Sequence, residues 1–188
     1  MLFLILVAGC NNTPPATTSD DPSSSSTESG IEVRVKQYTN ESALDFQHPS
    51  DWILEIPRQG IIATGPQQTV FGNEAGPLVT ILRVPFGEVH GNLEGEFNHF
   101  LDFGPKRDGY EVKIPASDIE VDGRKGRQIR MSFAGDVENS IIAQEAWIVA
   151  AEANNGVVYL ISATAPEELW SANEILFKIL VNSLKFNE

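Results

Sequence analysis

The sequence predicts an α+β fold in which an antiparallel β-sheet is sandwiched between helices. Short strand-like segments follow one another along the chain, separated by turns that contain Gly, Asn, Asp or Pro. Two amphipathic helices interrupt this series, one near the middle of the chain and one at its end. Strands that are joined by hairpins pair antiparallel, and an apolar helix face must cover another layer.

The first strand is predicted near residue 31, where Ile31, Val33 and Val35 alternate with charged residues. This period of two is typical of a strand with one buried face. Further short segments before the first helix are rich in apolar and β-branched residues and end at turn-forming residues. They are 44–49, 52–56, 61–64, 69–71 and 78–84.

The first helix is predicted over residues 93–103. Its apolar face consists of Leu93, Phe97, Phe100 and Leu101, which have helical spacing. Asn92 is a suitable N-cap, and the Gly-Pro pair at 104–105 ends the helix. Four polar residues are expected on the solvent side: Glu94, Glu96, Asn98 and Asp102.

Two hairpins are predicted after this helix. In the first, residues 118–122 pair with 127–133 around a turn at 123–126. In the second, residues 141–151 pair with 157–164 around Asn-Gly at 155–156, which tolerates the positive φ of a type I′ turn. The strands of the second hairpin are apolar on both faces, so we expect them to be central and covered on both sides.

The final helix is predicted to begin near Glu167, with Thr164 or Ala165 as its N-cap. Acidic residues in its first turn favour a helix start, because they complement the helix dipole. The apolar stripe is wide enough to dock on a sheet, and comprises Leu169, Trp170, Ala172, Leu176, Phe177, Leu180 and Val181.

The charge balance argues against nucleic acid as a partner. Lys and Arg number 13 while Asp and Glu number 26, which gives a net charge of −13. Such a chain is repelled by phosphate backbones and by anionic lipid headgroups. With a single cysteine there can be no intramolecular disulfide, so the fold must rest on its apolar core.

The stretch Leu6-Val7-Ala8-Gly9-Cys10 combines an apolar run, small residues and that cysteine. It resembles the lipobox of bacterial lipoproteins, in which the thiol receives a diacylglyceryl group and the chain is cut just before the cysteine. We therefore expect a signal peptide at residues 1–9, lipidation at Cys10, and a membrane attachment made by the lipid. The n-region has no Lys or Arg, which favours a signal that is truncated or that starts upstream.

The segment after the cysteine, up to residue 30, has no large apolar residue and is dominated by Ser, Thr, Pro, Asn and Asp. It cannot bury enough apolar surface to offset the entropy lost on ordering. We expect residues 10–30 to be a lipidated, disordered tether and residues 31–188 to form one globular domain.

Residues near both ends of this domain resemble those of PsbP-like domains. The N-terminal motif is Tyr38 followed by Phe46-Gln47-His48-Pro49-Ser50-Asp51-Trp52. The C-terminal motif is Trp170, Phe177 and Ser183-Leu184-Lys185-Phe186. The resemblance implies a PsbP-like α/β/α sandwich. It also implies a binding or assembly module rather than an enzyme, since the best-known members are extrinsic subunits of the photosynthetic oxygen-evolving complex and bacterial relatives are often lipoproteins. It does not imply photosynthesis, because the matching residues are structural.

Motifs for catalysis and for phosphate binding are absent from the sequence: it has no Gly-x-Ser-x-Gly, Gly-x-Gly-x-x-Gly or P-loop pattern. The acidic residues at 118, 120 and 122 copy the start of an EF-hand loop, but Ile129 stands where that loop needs Glu, which favours a strand. His90, His99 and Asp102 lack the spacing of a transition-metal site. His48 is expected to make a structural hydrogen bond. Trp52 and Trp147 could line a ligand pocket, although tryptophans in strands usually belong to a core.

The only basic cluster comprises Arg124, Lys125, Arg127 and Arg130. It is either a solvated hairpin tip or a docking tip for an acidic partner. The sequence as a whole predicts a lipid-anchored, extracytoplasmic lipoprotein, on the periplasmic or surface side of the cell membrane. Its expected role is a non-catalytic binding or assembly module for a membrane-associated protein complex, with a protein partner and no cofactor. The alternative is an extracytoplasmic protein that binds a small ligand or a metal ion.

Overall fold

A computed structural model of the chain describes residues 25–28, 31–40, 43–57, 60–70, 73–84, 91–103, 110–136, 141–153 and 156–187. The two helices are α1 (Leu93–Phe103) and α2 (Glu167–Asn182). The strands before α1 are β1 (Ser25–Glu28), β2 (Ile31–Tyr38), β3 (Leu44–Pro49), β4 (Ile53–Glu55), β5 (Gly60–Thr64), β6 (Gln68–Val70), β7 (Asn73–Ala75) and β8 (Leu78–Val84). Those after it are β9 (Tyr110–Val121), β10 (Arg124–Phe133), β11 (Gln144–Glu152), β12 (Val158–Pro166) and β13 (Lys185–Phe186).

A seven-stranded sheet with the order β4-β5-β8-β12-β11-β10-β9 forms the middle layer. A smaller sheet, β1-β2-β3-β13, and the hairpin β6-β7 accompany it. All pairings between these named strands are antiparallel. Strands β9 and β4 are therefore the two edges of the large sheet.

Strands β11 and β12 are buried on both faces, as predicted, because a helix packs on each side of them. On the α1 face, Phe97 and Leu101 join a core with Met131, Ile148 and Leu160. On the α2 face, a larger core includes Phe46, Tyr159, Ile161, Trp170 and Phe177. The predicted α+β sandwich is confirmed.

Helix α1 has the predicted bounds and the predicted cap: the Gly95 N–H donates to Asn92 Oδ1 at 2.8 Å. The expectation that Glu96 faces solvent is wrong, because only 3% of it is exposed. Glu96 shares a helical row with Leu93 and Phe100, and this row lies against the sheet.

The turn of the first hairpin lies at Asp122–Gly123, with φ of 51° and 71°, and not at 123–126. Two adjacent residues with positive φ make a two-residue hairpin turn, so Arg124 and Lys125 belong to β10. The Asp122 carboxylate also accepts hydrogen bonds from the Phe186 N–H at 2.9 Å and from Lys185 Nζ at 3.1 Å. Partial burial alone would raise the pKa of Asp122, but these donors outweigh it and lower the pKa. The turn thereby holds β13 in place.

Helix α2 begins at Glu167, as predicted, but its N-cap is Pro166 rather than Thr164 or Ala165, and no side chain makes a capping bond. The reason is that β12 continues to Pro166, which pairs with Gln144. The buried face is centred on Trp170, Asn173, Phe177, Leu180 and Val181. The predicted stripe is therefore rotated, since Ala172 is exposed and Leu169 and Leu176 are only partly buried.

Strand β1 lies within the segment that we expect to be a tether, and pairs with residues 31–34. Cys10 lies outside the described residues, as does the rest of 1–24. Among the described residues, neither helix has the length and apolar character needed to cross a bilayer.

His48 is buried on β3, next to Lys36 of β2, and its Nδ1 lies 2.9 Å from the Pro49 carbonyl oxygen. Since a carbonyl only accepts, Nδ1 carries the proton and donates this bond. Burial lowers the pKa of His48, and the charge of Lys36 lowers it further, against the opposing effect of the Pro49 hydrogen bond. The fold therefore favours the neutral imidazole, which agrees with the predicted structural role.

The lowered pKa of His48 predicts a pH-dependent stability. Below pH 6.5, the reference pKa of histidine, His48 is protonated in the unfolded chain. In the folded chain it stays neutral until the pH reaches its lower folded pKa. The free energy of unfolding should therefore fall as the pH drops from 7 towards the folded pKa. Urea denaturation at a series of pH values measures this slope. In His48→Gln, which keeps a donor for Pro49, the slope should be smaller; an unchanged slope would assign it to other groups.

Candidate functional site

A cleft of about 180 Å³ lies between α2 and the β9-β10-β11 end of the large sheet. We call it the α2 cleft. Its walls are mostly apolar, with charged groups contributed by β10 and α2. It is lined by Ile114, Gln128, Ile129, Arg130, Trp147, Trp170, Glu174 and Lys178.

Regular local structure brings the lining residues together. Arg130 of β10 lies directly between Ile114 of β9 and Trp147 of β11 in the sheet. Directly paired residues of neighbouring strands place their side chains on the same face. On α2, residues 170, 174 and 178 follow at intervals of four and form one face above them.

Arg130 is the centre of an ion-pair network in the α2 cleft. Its Nε and Nη2 both donate to Glu145 Oε2 at 2.8 Å, and its Nη1 lies 3.4 Å from Glu174 Oε2. The guanidinium carbon lies 4.5 Å from the centroid of the Trp170 ring, a cation–π contact. The guanidinium is thus fixed from three sides.

The indole groups of the cleft differ in their hydrogen bonding. Trp147 Nε1 donates to Gln128 Oε1 at 3.0 Å, and Gln128 Nε2 donates in turn to Ser117 Oγ at 3.4 Å. The Trp170 N–H is buried and makes no hydrogen bond of good geometry, although it lies close enough to Glu174 to help lower the pKa of that carboxyl.

Glu174 remains ionised at neutral pH. Partial burial alone would raise its pKa, but a hydrogen bond from Lys178 Nζ at 3.0 Å and the charges of Arg130 and Lys178 outweigh this effect and lower the pKa. A carboxylate of lowered pKa is a poor general base at neutral pH. The eight lining residues also include no hydroxyl, thiol or imidazole group, and the amine of Lys178 is ion-paired with Glu174. The arrangement suits binding.

The four cations of the predicted docking cluster do not form one patch. Arg124 lies opposite Val121, which is in the α2-side core, and Arg130 is on that same face. Lys125 and Arg127 alternate with them and point to the α1 face. The sequence places the four side by side, but the pleat of β10 divides them between two faces.

Arg127 is paired on the α1 face. Its Nη1 donates to Asp118 Oδ1 at 2.8 Å, and its Nε lies 3.0 Å from Glu94 Oε2. Both partners are solvated, with side chains that are 90% and 55% exposed. Arg127 therefore contributes a surface ion pair, whereas Arg130 is part of the α2 cleft.

The other candidate residues are dispersed. Trp52 belongs to the α2-side core, with its ring 6.0 Å from that of Phe177, so of the two tryptophans predicted for a pocket Trp147 alone lines the cleft. The EF-hand-like segment is the end of β9, as predicted, and His90 lies outside the described residues. Within the described ranges, no three His, Cys, Asp or Glu side chains are grouped as metal ligands. The sequence reasoning missed the ionic part of the site, although the spacing of Glu174 and Lys178 is that of a helical ion pair.

Comparison with protein-family models and with curated protein sequences gives no match. Three solved structures share the fold at low sequence identity. Cyanobacterial PsbP (CyanoP) from Synechocystis sp. PCC 6803 is 14% identical, with a TM-score of 0.55 over 86% of this chain and 97% of that one. The Ran-binding protein Mog1p of Saccharomyces cerevisiae is 11% identical, with a TM-score of 0.56 over 83% and 97%.

The third structure is LpqN of Mycobacterium tuberculosis, a protein involved in cell envelope biogenesis. It is 15% identical, with a TM-score of 0.51 over 89% of this chain and 86% of that one. These similarities show the fold, and they confirm that it is PsbP-like.

Replacing Arg130 with Met should lower the free energy of unfolding by about 2 kcal/mol, because Glu145 would lose its charged hydrogen-bond partner. The side chains of this pair are only 21% and 12% exposed, so water replaces the lost contact poorly. Urea denaturation measures the change. Arg127→Met is the matched control, on the same strand but with solvated partners, and should cost less than about 1 kcal/mol. Equal losses in the two variants would contradict a special role for Arg130.

Proposed function

We propose that this protein is a membrane-anchored, extracytoplasmic lipoprotein whose domain is a non-catalytic binding or assembly module for a membrane-associated protein complex. The observation that carries the proposal is the outer strand β9, an edge of the large sheet. Its apolar side chains Tyr110, Val112 and Ile114 are between 41 and 48% exposed. Exposed apolar groups on a strand edge are typical of a surface that another chain covers.

The part of β9 suited to pairing is its first half, Tyr110–Ile114. A register shift against β10 lies between Val112 and Ile114, so Val112 lies on the α1 face and Ile114 on the α2 face. An edge strand has backbone N–H and C=O groups on its outer side that a partner strand can use, and alternate side chains provide specificity. No other described strand pairs with this outer side of β9. We therefore place the docking of an extended partner segment at Tyr110–Ile114.

The second half of β9 is protected against such pairing. Pro115 lacks an N–H, and the register shifts near it where β9 pairs with β10. Asp118 and Glu120 then add negative charge that would repel an acidic strand. A partner segment with apolar side chains and positive charge at the corresponding end fits both halves.

The structural neighbours support a binding role. Mog1p is described as a Ran-binding protein, so this fold serves protein binding in that case. LpqN is described as involved in cell envelope biogenesis, which agrees with the extracytoplasmic location that we propose here.

The proposed anchor is the lipid on Cys10. Fourteen residues lie between Cys10 and the start of β1 at Ser25, and even a fully extended chain of that length spans at most about 50 Å. The domain would therefore remain close to the membrane and meet partners that are themselves membrane-associated. One acyl chain holds a protein only marginally, whereas two or three give stable attachment.

Substituting Cys10 with Ala should abolish acylation and release the protein from the membrane, because Cys10 is the only thiol in the chain. Metabolic labelling with radioactive palmitate, followed by membrane fractionation, measures both effects. The far-UV circular dichroism spectrum of the purified domain should stay the same. Labelling that survives the substitution would remove the proposed anchor.

Photo-crosslinking should locate the docking edge. With benzoylphenylalanine at position 110 or 112, we expect one discrete adduct in cells. The same probe at Ser171, an exposed position on α2, should give none. A second substitution, Val112→Glu, should abolish capture from position 110 without changing thermal stability, because Val112 is not part of either core.

A probe at Lys125 distinguishes the basic hairpin from the β9 edge. Lys125 lies at the other end of the β9-β10 pair, about 25 Å from Tyr110 at 3.3 Å per residue. Capture from position 125 that is lost when Arg124→Glu is added would move the docking site to the hairpin tip. Equal capture from positions 110, 125 and 171 would mean that no specific docking surface exists.

A further inference from the structure

We propose that the α2 cleft is a binding site for a small anionic molecule with a planar apolar ring. This site adjoins the docking surface proposed for β9 and shares Ile114 with it, but its ligand is of another kind, so it gives the chain a second binding function. Three properties of the cleft carry the inference: its apolar walls and size, its preformed geometry, and its unused hydrogen-bond donors.

The size and walls of the cleft suit one or two fused rings. Its volume is about 180 Å³, and the partly exposed apolar groups of its lining are Trp147 and Ile114, whereas Trp170 is only 3% exposed. An apolar cavity of about 150 Å³ is enough to bind benzene. The planar indole and guanidinium groups favour a flat ligand, because they can stack on its ring.

The walls are fixed without a ligand. Trp147 is held by Gln128 at 3.0 Å, and Arg130 is held by Glu145 at 2.8 Å and by the ring of Trp170. A site whose side chains are already ordered loses little conformational entropy on binding. This favours ligand binding over collapse of the cleft.

The charged groups of the cleft favour an anion. Arg130 and Lys178 are cations, and the only carboxylate in the lining, Glu174, already accepts from both of them. Lys178 carries three N–H donors and uses one of them on Glu174 in the described contacts. Glu145 and Glu174 balance the charges of Arg130 and Lys178, so the preference for an anion rests on the donors that remain. A ligand carboxylate can accept from these donors, whereas an ammonium group cannot.

Binding is tested with two ring compounds of the same size and opposite charge, 2-naphthoate and 2-naphthylmethylammonium. The chain has three tryptophans, so the ¹H–¹⁵N spectrum shows three indole N–H signals, assigned with single Trp→Phe variants. We expect 2-naphthoate to shift the signals of Trp147 and Trp170 in a saturable manner and to leave Trp52 in place. The ammonium compound should bind at least about fivefold more weakly.

The variant Lys178→Gln tests the anion preference itself. Lys178 is on the surface of α2, with a side chain that is 49% exposed, so its loss should not unfold the domain. The difference between the two compounds should shrink by about twofold or more. The proposal fails if neither cleft tryptophan responds, if all three respond alike, if the two compounds bind equally, or if Lys178→Gln leaves the preference unchanged. None of these results depends on whether a protein docks on β9.

Discussion

Burial of both faces of β11 and β12 is the constraint on which the rest of the structure depends. Residues 146, 148 and 150 of β11 belong to the α1-side core, while Val149 and Ala151 belong to the α2-side core. A strand that is apolar on both faces is stable only if each face is covered. Helix α1 covers one face; α2, together with β3 of the small sheet, covers the other. The layers, and the cleft at the margin of α2, follow from that requirement.

Arg130 lies on the sheet at the margin of the area that α2 covers, and this position explains how a charged residue fits in the fold. Near the β9 edge α2 no longer seals the sheet, so position 130 is neither fully buried nor fully solvated. An arginine is stable at such a half-buried position when its methylene groups pack on apolar groups and carboxylates compensate its charge. Glu145 and Glu174 supply that compensation from the neighbouring strand and from the helix. The same residue type at 127, on the opposite face, makes only solvated pairs.

Local sequence patterns were sufficient to predict those helices and strands whose ends are marked by capping or strand-ending residues. The bounds of α1 and β8 agree with prediction, because Asn92 caps the helix and Pro85 follows the apolar run of the strand in the sequence. The first turn was misplaced although it has a local signal, because the pair Asp122-Gly123 readily takes the two positive φ values of a type I′ turn. The α2 cleft has no such signal, because Arg130 and Glu174 are 44 residues apart and meet only through tertiary packing.

Ile114 connects the cleft to the exposed edge of the sheet. Ser117 lies on the α2 face beside Gln128. If the side chains of β9 alternated regularly from there, Ile114 would lie on the α1 face. The register shift between Gln128 and Arg130, at Pro115 and Ala116, instead places Ile114 opposite Arg130 and in the lining of the cleft. A second register shift follows between Arg130 and Met131. This irregular part of β9 interrupts the pairing edge and completes the wall of the cleft. A strand added at Tyr110–Ile114 would lie beside the mouth of the cleft, so the two proposed binding surfaces are contiguous although their ligands differ in kind.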